Sequence, residues 1–310
     1  MKNTPFFKTE FIQGLGMDLT ALQIFKAVAE HGGINKAAAK LHRVPSNVTT
    51  RVKQLEDRLG AKLFVRRSRG LELSPEGRVL LGYAERLLRL TEEAETVLRN
   101  GMPRGVLRMG ALESTAGARL PPLLSRFHRL YPEVRIELVT GTSGALVARV
   151  LDHDLEAAFI AEPFNREGLD LQHAFDEELF LIQPRGARPV RTPKDIGNRT
   201  LIAFANGCSY RRRLESWLGS AKVMPDRILE FASYHAIVAC VAGGAGIAIV
   251  PRSVIDLTNA KKELTVQPLP RSVANAKTQL AWRSGHQSVA LDALRTVALE
   301  FAPGARAKAA

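Results

Sequence analysis

Gly33-Ile34-Asn35-Lys36-Ala37-Ala38-Ala39-Lys40-Leu41-His42-Arg43-Val44-Pro45-Ser46-Asn47-Val48-Thr49-Thr50-Arg51-Val52-Lys53-Gln54-Leu55-Glu56-Asp57-Arg58-Leu59-Gly60 is the stretch on which the fold turns. Ala37, Ala38, Ala39 and Leu41 mark a short helix of small residues. His42-Arg43-Val44 turns the chain. Pro45, at a first helical position, opens a further helix from Ser46 to Leu59, and Gly60 ends it. Val48, Val52, Leu55 and Leu59 fall on one face, which is the face to be buried. Upstream, Leu19, Leu22, Ile24, Phe25 and Val28 recur at helical spacing until His31-Gly32-Gly33 stops them. Two helices, a tight turn and a third helix are the outline of a helix-turn-helix.

Downstream, Lys62 to Leu73 reads as two short strands around Arg66-Arg67-Ser68-Arg69-Gly70, a β-hairpin wing. Ser74 as N-cap and Pro75 at the next position start a long helix that runs to about Asn100-Gly101. Leu80, Tyr83, Leu87, Leu90, Ala94 and Val97 keep a heptad spacing along it. Such a stripe needs a partner: a second copy of the helix, which is the expectation, or else the chain's own C-terminal part.

The chain has 310 residues and a formal net charge of +13. That length holds two or three domains, and the charge favours a polyanionic partner, nucleic acid or an anionic membrane. No apolar run spans a bilayer, no signal peptide is read in Met1 to Gly16, and the cytoplasm is the simplest location. Cys208 and Cys240 are too few for a disulfide scaffold and lack metal-ligand spacing. No metal and no cofactor are expected. After the hinge Gly101-Met102-Pro103-Arg104-Gly105, strands and helices alternate, which makes an α/β module. The strands are read at Val106–Met109, Val134–Val139, Ala157–Ile160, Leu179–Ile182, Leu201–Phe204, Ile228–Phe231, Ile247–Val250 and Thr278–Trp282. The expected organisation is an N-terminal extension over 1–16, disordered; a winged helix-turn-helix over 17–73; a linker helix and hinge over 74–104; and two α/β lobes, 105–178 with 279–303 and 179–278.

The stretch Thr20 to Gly77 resembles the DNA-binding domain of LysR-type transcriptional regulators. The resemblance rests on Leu22, Phe25, Gly33 to Ala38, Val48-Thr49, Val52 to Glu56, Leu59-Gly60, Leu63-Phe64, Arg66, Leu73-Ser74-Pro75 and Gly77. The rest of the chain is similar to the family's effector module in length and element order. The resemblance implies a dimer of dimers on an interrupted palindrome of promoter DNA. It also implies a two-lobed module like the type 2 periplasmic binding proteins, with a small-molecule effector in the cleft, and it leaves RNA polymerase open as a further partner. Val44 to Thr49 and Gly207 to Arg211 look most like the subgroup that regulates putrescine and related amine catabolism.

The chemistry of the residues fits. A recognition helix sets its N-terminal side chains on base edges, and here these are Pro45, Ser46, Asn47, Thr49 and Thr50. Asn pairs bidentately with adenine, and hydroxyls donate and accept. For Ser46 and Asn47 the plain alternative is helix capping. Lys36, Arg43, Arg51 and Lys53 suit phosphates, and Arg66, Arg67 and Arg69 on the wing suit the minor groove; the plain alternative is a solvated basic face. Where members of the family often carry Gln-Pro-Ala at the helix start, this chain has Pro45-Ser46-Asn47, so a different base preference is expected there.

In the α/β module, ligands sit at the carboxyl ends of strands and at helix starts. Those places hold Glu113-Ser114-Thr115, Thr142-Ser143, Cys208-Ser209-Tyr210 and Ser233. N-capping is the alternative for Ser114, Thr142 and Ser143. Glu113 suits an amine and Arg211 a carboxylate, so the sign of the effector's charge stays open. Cys208, at a helix start rich in arginine, offers a second reading as a redox-sensing thiol. An enzyme is disfavoured by the lack of a P-loop, a nucleophile elbow or metal spacing. An architectural DNA binder is disfavoured by the size of the α/β module.

Overall fold

The computed structural model describes residues 17–67, 70–98 and 102–303, in two compact units that divide between Arg99 and Asn100. The extension 1–16, Arg69 of the wing and the side chain of Val97 lie outside the described residues.

The first unit holds α1 (Leu19–His31), α2 (Ile34–Lys40), α3 (Pro45–Leu59), β1 (Phe64–Arg67), β2 (Gly70–Leu73) and α4 (Pro75–Leu98). Asp18 caps α1 by accepting the Ala21 N–H at 2.7 Å. Gly32 and Gly60, at φ 67° and 64°, close α1 and α3 in the left-handed conformation that residues with a Cβ resist. One core joins Leu22, Ile24, Phe25 and Val28 of α1 to Val48, Val52 and Leu55 of α3 and to Ala84 and Leu88 of α4. The rings of Phe25 and Phe64 pack at 5.4 Å, which anchors the wing to the helices. Phe64 stands opposite Leu73 and Arg67 opposite Gly70 in the antiparallel wing. Ser74 ties the wing to α4: its hydroxyl donates to Lys62 O at 2.6 Å and accepts the Gly77 N–H at 2.8 Å.

Along α4, Ala84 and Leu88 are buried against the core, whereas Tyr83 is 55% exposed and Leu90 61%. Leu87 and Val79 are exposed as well, Ala94 is exposed and Leu80 half-buried. The helix therefore carries two apolar faces and the unit's own core covers only one of them.

The second unit runs β3 (Gly105–Ala111), α5 (Glu113–Ala118), α6 (Leu120–Leu130), β4 (Val134–Thr140), α7 (Ser143–Leu151), β5 (Ala157–Ala161), β6 (Leu169–Pro184), β7 (Leu201–Ala203), α8 (Ser209–Ser220), β8 (Ile228–Glu230), α9 (Tyr234–Ala242), β9 (Ala248–Pro251), α10 (Arg252–Leu257), β10 (Leu264–Pro268), α11 (Arg271–Ala274), β11 (Asn275–Arg283) and α12 (Val289–Phe301). β3 pairs in parallel with β4 and β5, as βαβ crossovers require. β5 then pairs antiparallel with β11, and β11 with β6 as far as Glu178. From Leu179 onward β6 changes partners, to β9 and β10. One long strand thus passes from one sheet region to another. Cores form on both sides of it: one around Leu107, Met109, Phe127, Phe159 and Leu294, the other around Leu181, Ile202, Tyr210, Ile237 and Val250.

The strand expected at Leu179–Ile182 is the second half of the 16-residue β6. Its first half eludes sequence reading because Asp170, Asp176, Glu177 and Glu178 lower its strand propensity; pairing with β11 overrides that. α5 also departs from expectation. Leu112, not a hydroxyl residue, precedes it, and Ser114 lies inside the helix rather than capping it.

Candidate nucleic-acid interface and ligand cleft

On α3, Pro45, Ser46, Asn47, Thr49, Thr50, Arg51 and Lys53 are all exposed, while Val48, Val52 and Leu55 face the core. The N-cap is Val44, and no side chain caps the helix. Ser46 and Asn47 are therefore not consumed by capping. Thr49 differs: its hydroxyl donates back to Pro45 O at 2.9 Å, which leaves its methyl and its acceptor lone pair for another partner. Arg51 lies 3.6 Å from Asp18, so α3 is also tied to the start of α1. Lys36, Arg43 and Arg66 are exposed, and Arg67 sits 3.7 Å from Glu72 across the wing.

A residue absent from the expected site holds this surface together. Glu56 is buried near the end of α3. Its Oε1 accepts the N–H of Leu63 at 2.9 Å and of Phe64 at 3.4 Å, and its Oε2 accepts from Lys62 Nζ at 2.7 Å. Burial pushes its carboxyl up, but Lys62 and the two backbone donors outweigh burial and hold it below its ordinary value. Glu56 thus fixes the β1–β2 hairpin relative to α3. Its signal in the sequence is position: it follows Val52 and Leu55 in the buried stripe, where a carboxylate must find donors.

In the second unit, a cleft of about 310 Å³ is lined by Glu113 at the start of α5, by Thr140, Gly141 and Thr142 ahead of α7, and by Phe204, Glu230 and Phe231. Two smaller cavities, of about 50 and 10 Å³, share Glu113 with it. Thr142 caps α7, its Oγ1 accepting the Ala145 N–H at 3.3 Å. Glu113 serves the start of α9: its Oε1 accepts the Tyr234 N–H at 3.3 Å and the Ser233 hydroxyl at 3.5 Å. Burial raises the Glu113 carboxyl above its ordinary value, more than these donors and His235 lower it. Glu113 forms no ion pair among the described residues.

The other expected contacts divide. Ser143 is fully buried; its hydroxyl donates to Ala161 O at 3.0 Å and accepts the Ala161 N–H at 3.2 Å, which staples α7 to β5. It also lies 3.5 Å from the Ser209 hydroxyl. Arg211 is buried and committed to Glu215, to Glu230 and to Phe204 O. Ser114, Thr115, Tyr210 and Thr278 are buried, and none of their hydroxyls makes a well-formed hydrogen bond among the described residues. Burial pushes the Tyr210 phenol far up, which keeps it neutral.

Cys208 corrects the thiol reading. It precedes α8 as expected, but its side chain is buried. Burial raises the thiol pKa by more than the Tyr210 and Arg211 N–H groups and the Arg211 charge lower it. A peroxide sensor needs an accessible thiolate, so the geometry opposes that role. Cys240 is half-buried and packs against the core around Ile237 and Val241.

Two family models cover the chain: the bacterial regulatory helix-turn-helix protein, lysR family, over residues 19–78, and the LysR substrate binding domain over residues 100–303. The HTH-type transcriptional regulator GltR of Bacillus subtilis is 38% identical over 240 residues, 77% of this chain and 81% of that protein. Among solved structures, a full-length OxyR variant from Pseudomonas aeruginosa superposes with a TM-score of 0.69 at 22% identity, covering 94% of this chain and 97% of that one. Full-length CbnR complexed with its target DNA has a TM-score of 0.66 at 23% identity, covering 92% and 100%. These two share the fold. Among the described residues no helix is long and apolar enough to cross a membrane. With a helix-turn-helix and a substrate-binding domain both matched along one chain, and a regulator as a relative over most of its length, the chain belongs to the LysR family of DNA-binding transcriptional regulators with an effector-binding domain.

Proposed function

We propose that this regulator reads promoter DNA through the exposed row Pro45, Ser46, Asn47, Thr49 and Thr50 of α3, with Lys36, Arg43, Arg51, Lys53, Arg66, Arg67 and Arg69 on phosphates and the minor groove. The carrying observation is that Ser46 and Asn47 stand exposed at the helix start and cap nothing. A helix start set in the major groove puts such side chains on base edges. Two copies join through the stripe of half-buried Leu80 and exposed Tyr83, Leu87, Leu90 and Ala94, extended by Val97, and two such dimers bind together. In the cytoplasm such an assembly, on DNA, offers surfaces to RNA polymerase.

The effector binds in the Glu113 cleft between lobe I, 105–178 with 279–303, and lobe II, 179–278. In this reading Ser114, Thr115, Tyr210 and Ser233 are further donors and acceptors for the effector. Its charge is positive in this reading. Glu113, which forms no ion pair among the described residues, and two phenyl rings, Phe204 and Phe231, line the cleft; the other carboxylate there, Glu230, is engaged by Arg211. The nearby cation, Arg211, is already matched by Glu215 and Glu230. Of the helix starts in this module, α7 is served by Thr142 and α9 by Glu113, whereas no side chain caps α5 or α8. A small ammonium ion fits carboxylates and ring faces together.

Operator binding tests the first part. Asn47→Ala should weaken the specific site by about 1–3 kcal/mol and leave random DNA nearly unchanged. Equal losses on both DNAs, measured by anisotropy at fixed salt, would remove α3 from base reading.

A further inference from the structure

A second groove, of about 540 Å³, shares no lining residue with the Glu113 cleft. Its walls come from the turn after β5, with Glu162, Phe164 and Arg166, and from α8 and α11, with Arg213, Trp217 and Ser272. We propose that this groove is a second ligand site, for a small organic anion: a carboxylate carried on a flat apolar body.

The charge argument rests on Arg213. The side chain is half-buried. Its Nε donates to Glu162 O at 3.0 Å and its Nη1 to Ser272 O at 3.3 Å. Both acceptors are neutral backbone carbonyls, and among the described residues Arg213 forms no ion pair. Its Nη2 makes no hydrogen bond among the described residues and keeps its N–H donors for an incoming carboxylate oxygen. Glu162, the carboxylate lining the groove, is shared: its Oε1 already accepts from Arg166 and from Gln279 Nε2 at 3.1 Å. Two guanidinium groups therefore face one carboxylate in the groove. Burial lowers the Arg213 pKa more than Tyr210 and Glu162 raise it, as expected of a cation short of counter-charge.

The apolar half of the ligand follows from the walls. Trp217 and Val273 sit on the core that α8 covers, and Phe164 on the core under α7. A flat body between these side chains touches both cores at once. The volume suits a one- or two-ring acid. α8 also carries Tyr210, which lines a cavity beside Glu113, so one rigid helix is shared by groove and cleft. An anion in the groove is thus placed to tune effector binding in the cleft, and the groove's own affinity does not depend on the effector reading.

The test is calorimetry on the full chain with benzoate, acetate and benzylamine. Benzoate should bind, and acetate, which lacks the flat body, should bind much more weakly. Arg213→Gln should weaken benzoate by about tenfold or more, the loss of a charge-assisted pair. Trp217→Leu should weaken it too, and should remove the fluorescence quenching that benzoate causes in the wild type. Glu113→Gln should leave benzoate affinity unchanged while abolishing any benzylamine heat. If Arg213→Gln does not fold by circular dichroism, Arg166→Gln, with its exposed guanidinium, carries the same expectation. Failure of benzoate to bind, benzoate affinity untouched by these arginine and tryptophan changes, or its loss in Glu113→Gln would each overturn the proposal. Loss of the benzylamine result alone overturns only the effector reading.

Discussion

Gly77→Ala should unfasten the DNA-reading unit, and Gly82→Ala, five residues along the same helix, should tighten it. Ala is better than Gly inside a helix by about 1 kcal/mol, so propensity favours both changes equally. The surroundings decide otherwise. A Cβ on Gly77 would lie 2.1 Å from Leu63 O and 3.0 Å from Leu73 Cδ2. The first contact is more than about 1 Å too short, and the opposing atom is backbone rather than a flexible side-chain end. Leu63 cannot step aside freely: its carbonyl accepts the Ser74 N–H at 3.0 Å and its N–H is held by Glu56 at 2.9 Å. Overpacking of this kind costs about 1–3 kcal/mol, and one lost hydrogen bond about 1 kcal/mol more. The net for Gly77→Ala is a loss of roughly 1–3 kcal/mol after the propensity gain. A Cβ on Gly82 meets nothing within 4 Å, so there the propensity gain stands alone. Gly82 also lies off the seam of Leu80, Tyr83 and Leu87, so the change leaves that stripe intact. Both tryptophans, Trp217 and Trp282, belong to the second unit, so their fluorescence does not report this change. Hydrogen exchange of the α1 and α4 amides is the assay. Protection in Gly77→Ala equal to or above the wild type would refute the reasoning.

Leu87→Glu with Leu90→Glu should give a folded monomer by ultracentrifugation with weakened operator binding, since one half-site no longer presents the other; a tetramer that survives both changes places the interface elsewhere. Glu56 has a lowered folded-state pKa, so its stabilisation is full above the unfolded-state value and is lost as pH falls through the folded value. Glu56→Gln should therefore lower stability at neutral pH and flatten the acid limb of the first unit's unfolding, and an unchanged acid profile would contradict this. Glu113 has a raised pKa, so a cationic effector should bind more weakly as pH falls through that raised value, and Glu113→Gln should abolish both affinity and pH slope in calorimetry.

The helix-turn-helix was legible because every signal for it is local. Pro45, Gly60 and the stripe Val48, Val52 and Leu55 lie within one helix, and the structure returns them as N1, C-cap and core. Glu56 was legible as a position but not as a clasp, because its partners Leu63 and Phe64 reach it only after the chain folds back. In the second unit, polar helix starts could be found, but not which way each side chain points. Ser143 and Thr142 are adjacent, yet one staples α7 to β5 and the other caps α7 at the cleft. Arg211, Arg212 and Arg213 follow one another at the start of α8. Helical rotation sends the first behind the cleft and the third to a separate groove, while the second stays exposed near Pro163 O. The first half of β6 was hidden for a different reason: its carboxylates argue against a strand, and only its partner β11 explains it.

How far an effector could switch this molecule is set by which contacts differ between two arrangements of the lobes. Glu113, on α5, serves the start of α9, so one side chain ties an element before the β6 crossing to one after it. Its donors are 3.3 and 3.5 Å away, long enough to be exchanged for an ammonium group at small cost. That exchange by itself is a modest lever. A hydrogen bond to a charged group contributes about 1.5–3 kcal/mol, whereas moving a population from 1:99 to 99:1 takes about 5.5 kcal/mol of differential binding. In the proposed cleft the remainder must come from surfaces that close on the ligand together, and Phe204 and Phe231 are the apolar ones available. An amine that reaches Glu113 without filling the space between those rings should therefore bind and yet leave the lobes, and the promoter, almost as they were.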